Sequence, residues 1–291
     1  MIKKTLLVIG IGLFTIVLNA QIERAKWEIG GGVRFNYMGL DGGYEGERYS
    51  DGYQFKMNYK EIGMDNYSPS FGIALGGRYK KLNLAFAGSN GSYKGEFETQ
   101  FDIVRDDIQI DSGSHVNGQI DMGIYALTTT FALIQKKHEL GVGIGFLILN
   151  MGSSFSTTEV GGEIIDVGGD HLFPMPFLAA SGRLNFGNFR LVGSGGGAIF
   201  KGEKDGLEYD VKYYTIDAKG VYDFYKGKNW SYSASLGFRK LFMDMQMENE
   251  LGWANEKDIY TGPYISLRAK FSSNEKWTHI PRKQRKQQEE L

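Results

Sequence analysis

Cysteine is absent from all 291 residues, so the chain can carry neither a disulfide nor the lipid-modified cysteine of a lipoprotein. Proline is scarce, at 5 residues. Neither charge sign dominates: 33 Lys+Arg stand against 34 Asp+Glu, and nothing in that balance points to nucleic acid. Beyond the N-terminus no apolar run approaches the ~20 residues that a membrane-spanning helix requires, and mean hydropathy is negative. Hydropathy alone therefore reads the chain as soluble. That reading has one blind spot, the membrane β-barrel, whose strands are apolar on a single face.

What the chain has in abundance is glycine, with 41 residues, and aromatics, with 17 Tyr and 19 Phe. With regular alternation this favours an all-β protein. The stretch HELGVGIGFLILN, from His138 to Asn150, shows the arrangement. Leu140, Val142, Ile144, Phe146 and Ile148 alternate with Gly141, Gly143 and Gly145. A strand turns alternate side chains to opposite faces, so one face is apolar and the other nearly bare. A barrel wall in lipid wants that pattern, with grease outside and little space inside a small lumen. Inward glycine is then expected to make room for larger lumen residues such as Arg183 or Arg239.

The N-terminus reads as a secretion signal over residues 1–20. Lys3 and Lys4 precede an apolar stretch from Thr5 to Leu18, and Leu18-Asn19-Ala20 is a cleavage site of small-residue type. Removing Lys3 and Lys4 leaves 31 − 34 = −3 for the mature chain.

Ten two-faced segments follow. Their apolar faces are Trp27, Ile29, Val33, Phe35 and Tyr37; Phe71, Ile73, Leu75 and Tyr79; Leu82, Leu84 and Phe86; Tyr125, Leu127, Phe131 and Leu133; the Leu140–Ile148 set; Leu178, Ala180, Leu184 and Phe186; a glycine-rich segment from Phe189 to Phe200 whose phase stays open; Tyr214, Ile216, Tyr222 and Phe224; Trp230, Tyr232, Leu236 and Phe238; and Ile265, Leu267, Ala269 and Phe271. Tight turns at 79–81, 135–137, 186–188 and 225–229 alternate with long or polar links at 38–70, 89–118, 151–171, 201–206 and 247–257. Outer-membrane barrels have short periplasmic turns, longer outer loops and an even strand count. The expected fold is therefore all-β, a transmembrane antiparallel up-and-down β-barrel of ten strands, with eight or twelve as alternatives. Two residues fit poorly. Pro263 would break a ladder bond in the last strand, and Lys240 falls on an apolar face, where only the outer headgroup level tolerates it. The alternative is a soluble sandwich or lipocalin-like barrel with the grease turned inward. It is disfavoured because the other face is mostly Gly, Ala and Ser, not the Lys, Glu and Thr of a solvated sheet.

With these features the chain resembles Gram-negative outer-membrane β-barrel proteins of a small, about ten-stranded, uncharacterised type. The resemblance rests on the signal ending in Leu18-Asn19-Ala20, the ten amphipathic strands, YKGEF at 93–97, and the last strand GPYISLRAKF, whose terminal aromatic Phe271 is similar to the signal read by barrel-assembly machinery. It covers residues 21–271 and implies outer-membrane lipid, lipopolysaccharide and that machinery as partners. The departure is a basic tail at 272–291, containing Lys276, Arg282, Lys283, Arg285 and Lys286, expected to be a disordered periplasmic extension.

Candidate chemistry lies in two places. Omptin-like proteases use an Asp pair and an Asp/His pair whose partners are one residue apart; here Asp106-Asp107 and Asp170-His171 are adjacent, so extended strands would turn them to opposite faces. Ser112, Ser114 and His115 are similar in type to lipid A deacylase residues but show no orienting carboxylate. The outer links lean acidic, with Glu96, Glu98, Asp102, Asp106, Asp107 and Asp111 in one and Glu159, Glu163, Asp166 and Asp170 in another. These suit divalent cations among lipopolysaccharide phosphates or simple solvation. More informative are the charges that alternation turns into the lumen: Glu28, Arg34, Arg78, Arg183, Arg190, Asp217, Lys219, Asp223, Arg239, Arg268 and Lys270. They form either an anion-preferring narrow pore or vestibule, or an ion-pair network that plugs the lumen. No catalytic constellation, metal set or cofactor motif emerges. The expected role is structural, binding or narrow-channel, with a surface enzyme acting on peptide or lipid A as the alternative.

Overall fold

The computed structural model describes residues 24–277, except 51, 62, 66, 100–102, 106, 107, 136, 158–164, 205 and 275. The secretion signal, Asp106-Asp107 and the tail beyond 277 thus lie outside the described residues. Ten long strands form one ring: β1 Trp27–Arg48, β2 Tyr67–Tyr79, β3 Leu82–Glu98, β4 His115–Gln135, β5 Glu139–Thr157, β6 Ile165–Phe186, β7 Phe189–Lys204, β8 Leu207–Lys226, β9 Trp230–Asn249 and β10 Gly252–Ser272. Each is antiparallel to its neighbour in sequence, and β10 pairs with β1 to close the ring. The fold is an all-β, up-and-down transmembrane barrel. Closure matters in lipid because hydrocarbon offers backbone groups no other partner.

The outer surface settles the orientation. Ile144, Phe146 and Leu236 are 65%, 44% and 65% exposed, so the grease faces out and the soluble alternative falls. Two aromatic belts bound the apolar band. Near the tight turns, Trp27 and Trp230 both pack on Phe271, with ring centroids 5.4 and 5.1 Å apart. At the other edge Tyr37 stacks on Tyr67 at 5.1 Å and Tyr214 on Phe242 at 4.8 Å. Trp27 to Tyr37 spans ten residues, roughly 26 Å of height at the usual strand rise and tilt. That matches the apolar band of outer-membrane barrels, about 25 Å. Phe189, Leu191 and Ile199 also face outward, which settles the phase of β7.

Strand length is where the structure departs from expectation. β2 has 13 residues and the others 16 to 22, against the 9–11 or so that span a bilayer. Most of what reads as long links in the sequence is strand continuing above the membrane. The segment 38–70 holds the upper part of β1, a short strand Tyr53–Asn58 paired back onto it, and a return that buries Tyr59 and Met64 over the lumen. The 247–257 link is a tight turn between β9 and β10. At the other end of the molecule, Arg24–Ala25 pairs with Lys276–Trp277. The start of the expected disordered tail is therefore a two-residue clasp, because it lies beside the N-terminal chain end at the closing seam. Pro263 behaves as its missing N–H requires: the β10–β1 ladder is interrupted between Thr261↔Gly39 and Tyr264↔Asn36.

Inside, the barrel has two compartments. Toward the tight turns the inward residues are small or charged. Above them Met38, Met64, Met122, Met175, Met243 and Met245 pack with Leu147, Leu149, Leu241, Tyr93 and Tyr260 into a buried core. Unbranched, flexible methionine fills the irregular gaps that strands converging from all sides leave.

Candidate functional site: a cationic vestibule in the lumen

Below that core lies a cavity of about 360 Å³. Ten of the eleven charged residues that alternation turns inward line it: Glu28, Arg34, Arg78, Arg183, Arg190, Asp217, Lys219, Arg239, Arg268 and Lys270. The eleventh, Asp223, is buried beside it as an ion-pair partner of Arg190.

The charges form two tiers. In the tier nearest the tight turns, Glu28 accepts from Lys270 Nζ at 3.2 Å, and Arg78 Nη2 lies 3.2 Å away. Glu139, the cross-strand neighbour of Arg183, sits 3.3 Å from Arg183 Nη1 and 3.8 Å from Arg78 Nη1. Asp223 holds Arg190, and Lys226 reaches it from the β8–β9 turn at 3.3 Å. In the upper tier Asp217 faces Arg239 across the β8–β9 ladder. It accepts from Arg239 Nε at 3.3 Å and from the Tyr264 hydroxyl at 2.6 Å, and Arg34 Nη1 lies 3.8 Å away. The Arg34 guanidinium lies 4.1 Å over the Tyr264 ring, a cation–π contact that is strong when desolvated. Tyr264 fits there because its cross-strand partner is Gly237, whose missing side chain leaves room for the ring.

Eight cationic side chains thus line the lumen, with Lys226 a ninth at its edge, beside four carboxylates: Glu28, Glu139, Asp217 and Asp223. The surplus is visible atom by atom. The Nε groups of Arg78, Arg183 and Arg190 are buried without a hydrogen-bond partner. Neither Lys219 nor Arg268 has an ion pair or hydrogen bond among the described residues. Arg268 is nonetheless solvent-exposed, which inside the ring means exposed to the vestibule's own water. Buried polar groups normally find partners. Planar guanidinium donors in excess are the chemistry that grips carboxylate or phosphate oxygens.

Glu139 and Tyr264 complete the tiers although neither stands among the inward charges read from sequence. Tyr264 is legible as inward-facing but carries no formal charge. Glu139 is in step with the inward Gly141 and Gly143 and is legible as inward, but is not counted among the lumen charges. A second group escaped altogether. Glu256 and Asp258, two residues apart and both inward, are buried above the upper aromatic belt. The Tyr59 hydroxyl donates to Glu256 Oε1 at 3.1 Å, and that of Tyr260 to Asp258 Oδ2 at 2.9 Å. Burial, and then the neighbouring Glu256, hold the Asp258 carboxyl well above the usual carboxylate range.

The other candidates do not assemble. The side chains of Asp170 and His171 lie outside the described set, as do Asp106 and Asp107. Glu96 lies 3.8 Å from His115 Nε2, but both are largely exposed on the outer hairpin. His138 Nδ1 accepts the Asn185 N–H at 3.2 Å and its ring packs near Phe186, a turn-fixing role. Among the described residues no cluster of three or more His, Asp or Glu could hold a metal ion.

No protein-family model and no curated sequence matches the chain. Among solved structures it is similar to the outer membrane protease OmpT of Escherichia coli, at 12% identity over 84% of this chain and 97% of that one, with a TM-score of 0.47. It is similar also to the outer membrane protein OprG of Pseudomonas aeruginosa, at 7% identity over 87% and 98%, TM-score 0.34. A third is the attachment invasion locus protein Ail of Yersinia pestis, at 9% identity over 81% and 98%, TM-score 0.29.

Proposed function

We propose that the protein is an integral barrel of a bacterial outer membrane that binds a small anion in a periplasm-facing vestibule and does not conduct through its lumen. The observation that carries this reading is the unmatched cationic surplus around the cavity, with three buried guanidinium N–H groups that lack acceptors. The methionine and tyrosine core above the cavity supports a lumen closed toward the outside. In this setting outer-membrane lipid and lipopolysaccharide surround the band, and barrel-assembly machinery meets the last strand near Phe271.

The test is calorimetric titration of the refolded barrel with inorganic phosphate. Saturable binding that weakens as salt rises is expected, and it should be lost in the Lys219→Gln/Arg268→Gln variant, whose residues hold no ion pair that the fold needs. A folded barrel that takes up no phosphate overturns the anion site. Single-channel recordings should show no conductance steps, and steps would overturn the closed lumen.

A further inference from the structure

The ladder of the barrel wall stops short between two pairs of neighbouring strands: β2–β3, which pair only from Tyr79↔Leu82 to Gly72↔Ser89, and β6–β7, whose gap opens beside an apolar groove at the upper edge of the apolar band. The β6–β7 ladder runs from Phe186↔Phe189 only as far as Leu178↔Gly197. Above that point β6 stays paired with β5 up to Ile165↔Thr157, and β7 with β8 up to Lys204↔Leu207. Two adjacent strands thus continue outward without pairing to each other. An open edge in hydrocarbon strands backbone donors. β6 meets this with Pro174 and Pro176, two of the chain's 5 prolines. The Leu178 carbonyl faces β7, 2.6 Å from where a Cβ on Gly196 would stand. The two-residue period then points residues 176 and 174 the same way, and as prolines they have no N–H to leave unpaired. The opposite case, proline N atoms facing β5, is excluded by the unbroken β5–β6 register through both residues.

A groove of about 910 Å³ opens at the breach, of the size that ligand pockets have. Its rim is Ile144, Phe146, Leu178 and Ile199, all exposed on the lipid face. Its floor is Phe177 and Tyr213, which are buried lumen residues. The same two rings line the vestibule below, and they pack edge to face at 6.0 Å. Cavity and groove therefore share one aromatic wall.

We propose that the β6–β7 breach is a lateral portal that takes the acyl chain of an outer-leaflet lipid into the barrel wall, with Phe177 and Tyr213 as the door between the portal and the lumen. The occupant follows from continuity: the groove's rim lies on the band that lipid chains already cover, its lining is apolar, and the prolines leave the β6 edge with no N–H at 174 and 176 to satisfy. The portal stands on wall geometry and not on the charge of the vestibule.

Photo-crosslinking tests it. A benzoyl-phenylalanine is placed at Phe177, at Leu147 as an equally buried interior control, or at Ile199 as a lipid-facing control. Each protein is reconstituted in phospholipid vesicles containing lipopolysaccharide, and its folded state is checked by heat-dependent gel shift. Acyl-chain adducts at 177 should approach those at 199 and exceed those at 147 several-fold. In Pro174→Val/Pro176→Val the restored N–H groups let the ladder close, and adducts at 177 should fall to the level at 147 while those at 199 persist. Equal labelling at 177 and 147 in the folded wild-type background, or labelling at 177 that is indifferent to the double substitution, overturns the portal.

Discussion

Two buried residues show how a single side chain is tied to its surroundings. Asp258 is fully buried, shares its space with Glu256, and holds its proton well beyond the usual carboxylate range. A carboxyl whose folded pKa lies above its unfolded one favours folding fully below the unfolded value, near pH 4. That contribution is lost as pH rises toward the folded pKa, and each tenfold gain in proton affinity is worth about 1.4 kcal/mol. Thermal or urea unfolding should therefore show the wild-type barrel losing stability as pH rises from about 4. Asp258→Asn keeps an acceptor for the Tyr260 hydroxyl and should flatten that slope. Phe177 is held differently. A Cβ on Gly145 would run into its ring, and one on Gly196 would come within 2.7 Å. Gly145→Ala should cost about 1–3 kcal/mol as overpacking, and Phe177→Leu in the same chain should recover part of it. Of the glycines in the His138–Asn150 stretch, Gly145 makes room for a ring while Gly141 and Gly143 lie against the backbone carbonyls of Phe131 and Thr129, and among the arginines it is Arg268 that lies against Gly30 and Gly76.

At the scale of the strand, the hydrophobic phase flips at the membrane surface. On β9 the outward Leu236 and Phe238 give way to the inward Leu241, Met243 and Met245. On β1 the outward Val33 and Phe35 give way to the inward Met38 and Leu40. On β4 and β8, read downward from the outer end, inward Ile120, Met122 and Ile124 precede outward Leu127, and inward Val211 and Tyr213 precede outward Tyr214 and Ile216. Lipid below rewards apolar residues outside; water above rewards them inside. A periodicity read with one phase sees the spanning half and takes the rest for loop, which is why the ten strands were legible and their upper halves were not. The inward charges were legible for the same reason, since they lie in the spanning half. Their partners were not, because register depends on turn length and on the irregularities at Ala132/Ile134 and Asp223/Tyr225. The flip has a measurable consequence. Leu241→Ala or Met243→Ala, in the plug, should cost about 2–5 kcal/mol by cavity creation. Leu236→Ala, five residues away and facing lipid, should cost clearly less, because lipid refills the space. Urea unfolding of the three variants in one detergent or bilayer decides this.

At the scale of the molecule, a closed barrel is only as firm as the seam between its first and last strands. Here that seam is interrupted at Pro263, at the upper edge of the apolar band. Below it the two chain ends are tied together three times over. Lys270 and Ser272 both reach Glu28. Ser273 donates its N–H to the Trp27 carbonyl at 3.0 Å, and its hydroxyl accepts the Trp27 N–H at 3.2 Å. Arg24–Ala25 then pairs with Lys276–Trp277. A two-residue clasp has no period, so no sequence pattern announces it. Its effect should appear in truncations. A chain ending at Trp277 should match the full-length barrel in the temperature at which its heat-dependent gel shift occurs, because every seam contact among the described residues survives. A chain ending at Phe271 loses the Ser272 and Ser273 bonds and the clasp together, and should unfold at a distinctly lower temperature. Equal midpoints for the two truncations would mean that β10 and β1 hold the ring closed without the tail, and that the clasp is a consequence of closure with no part in securing it.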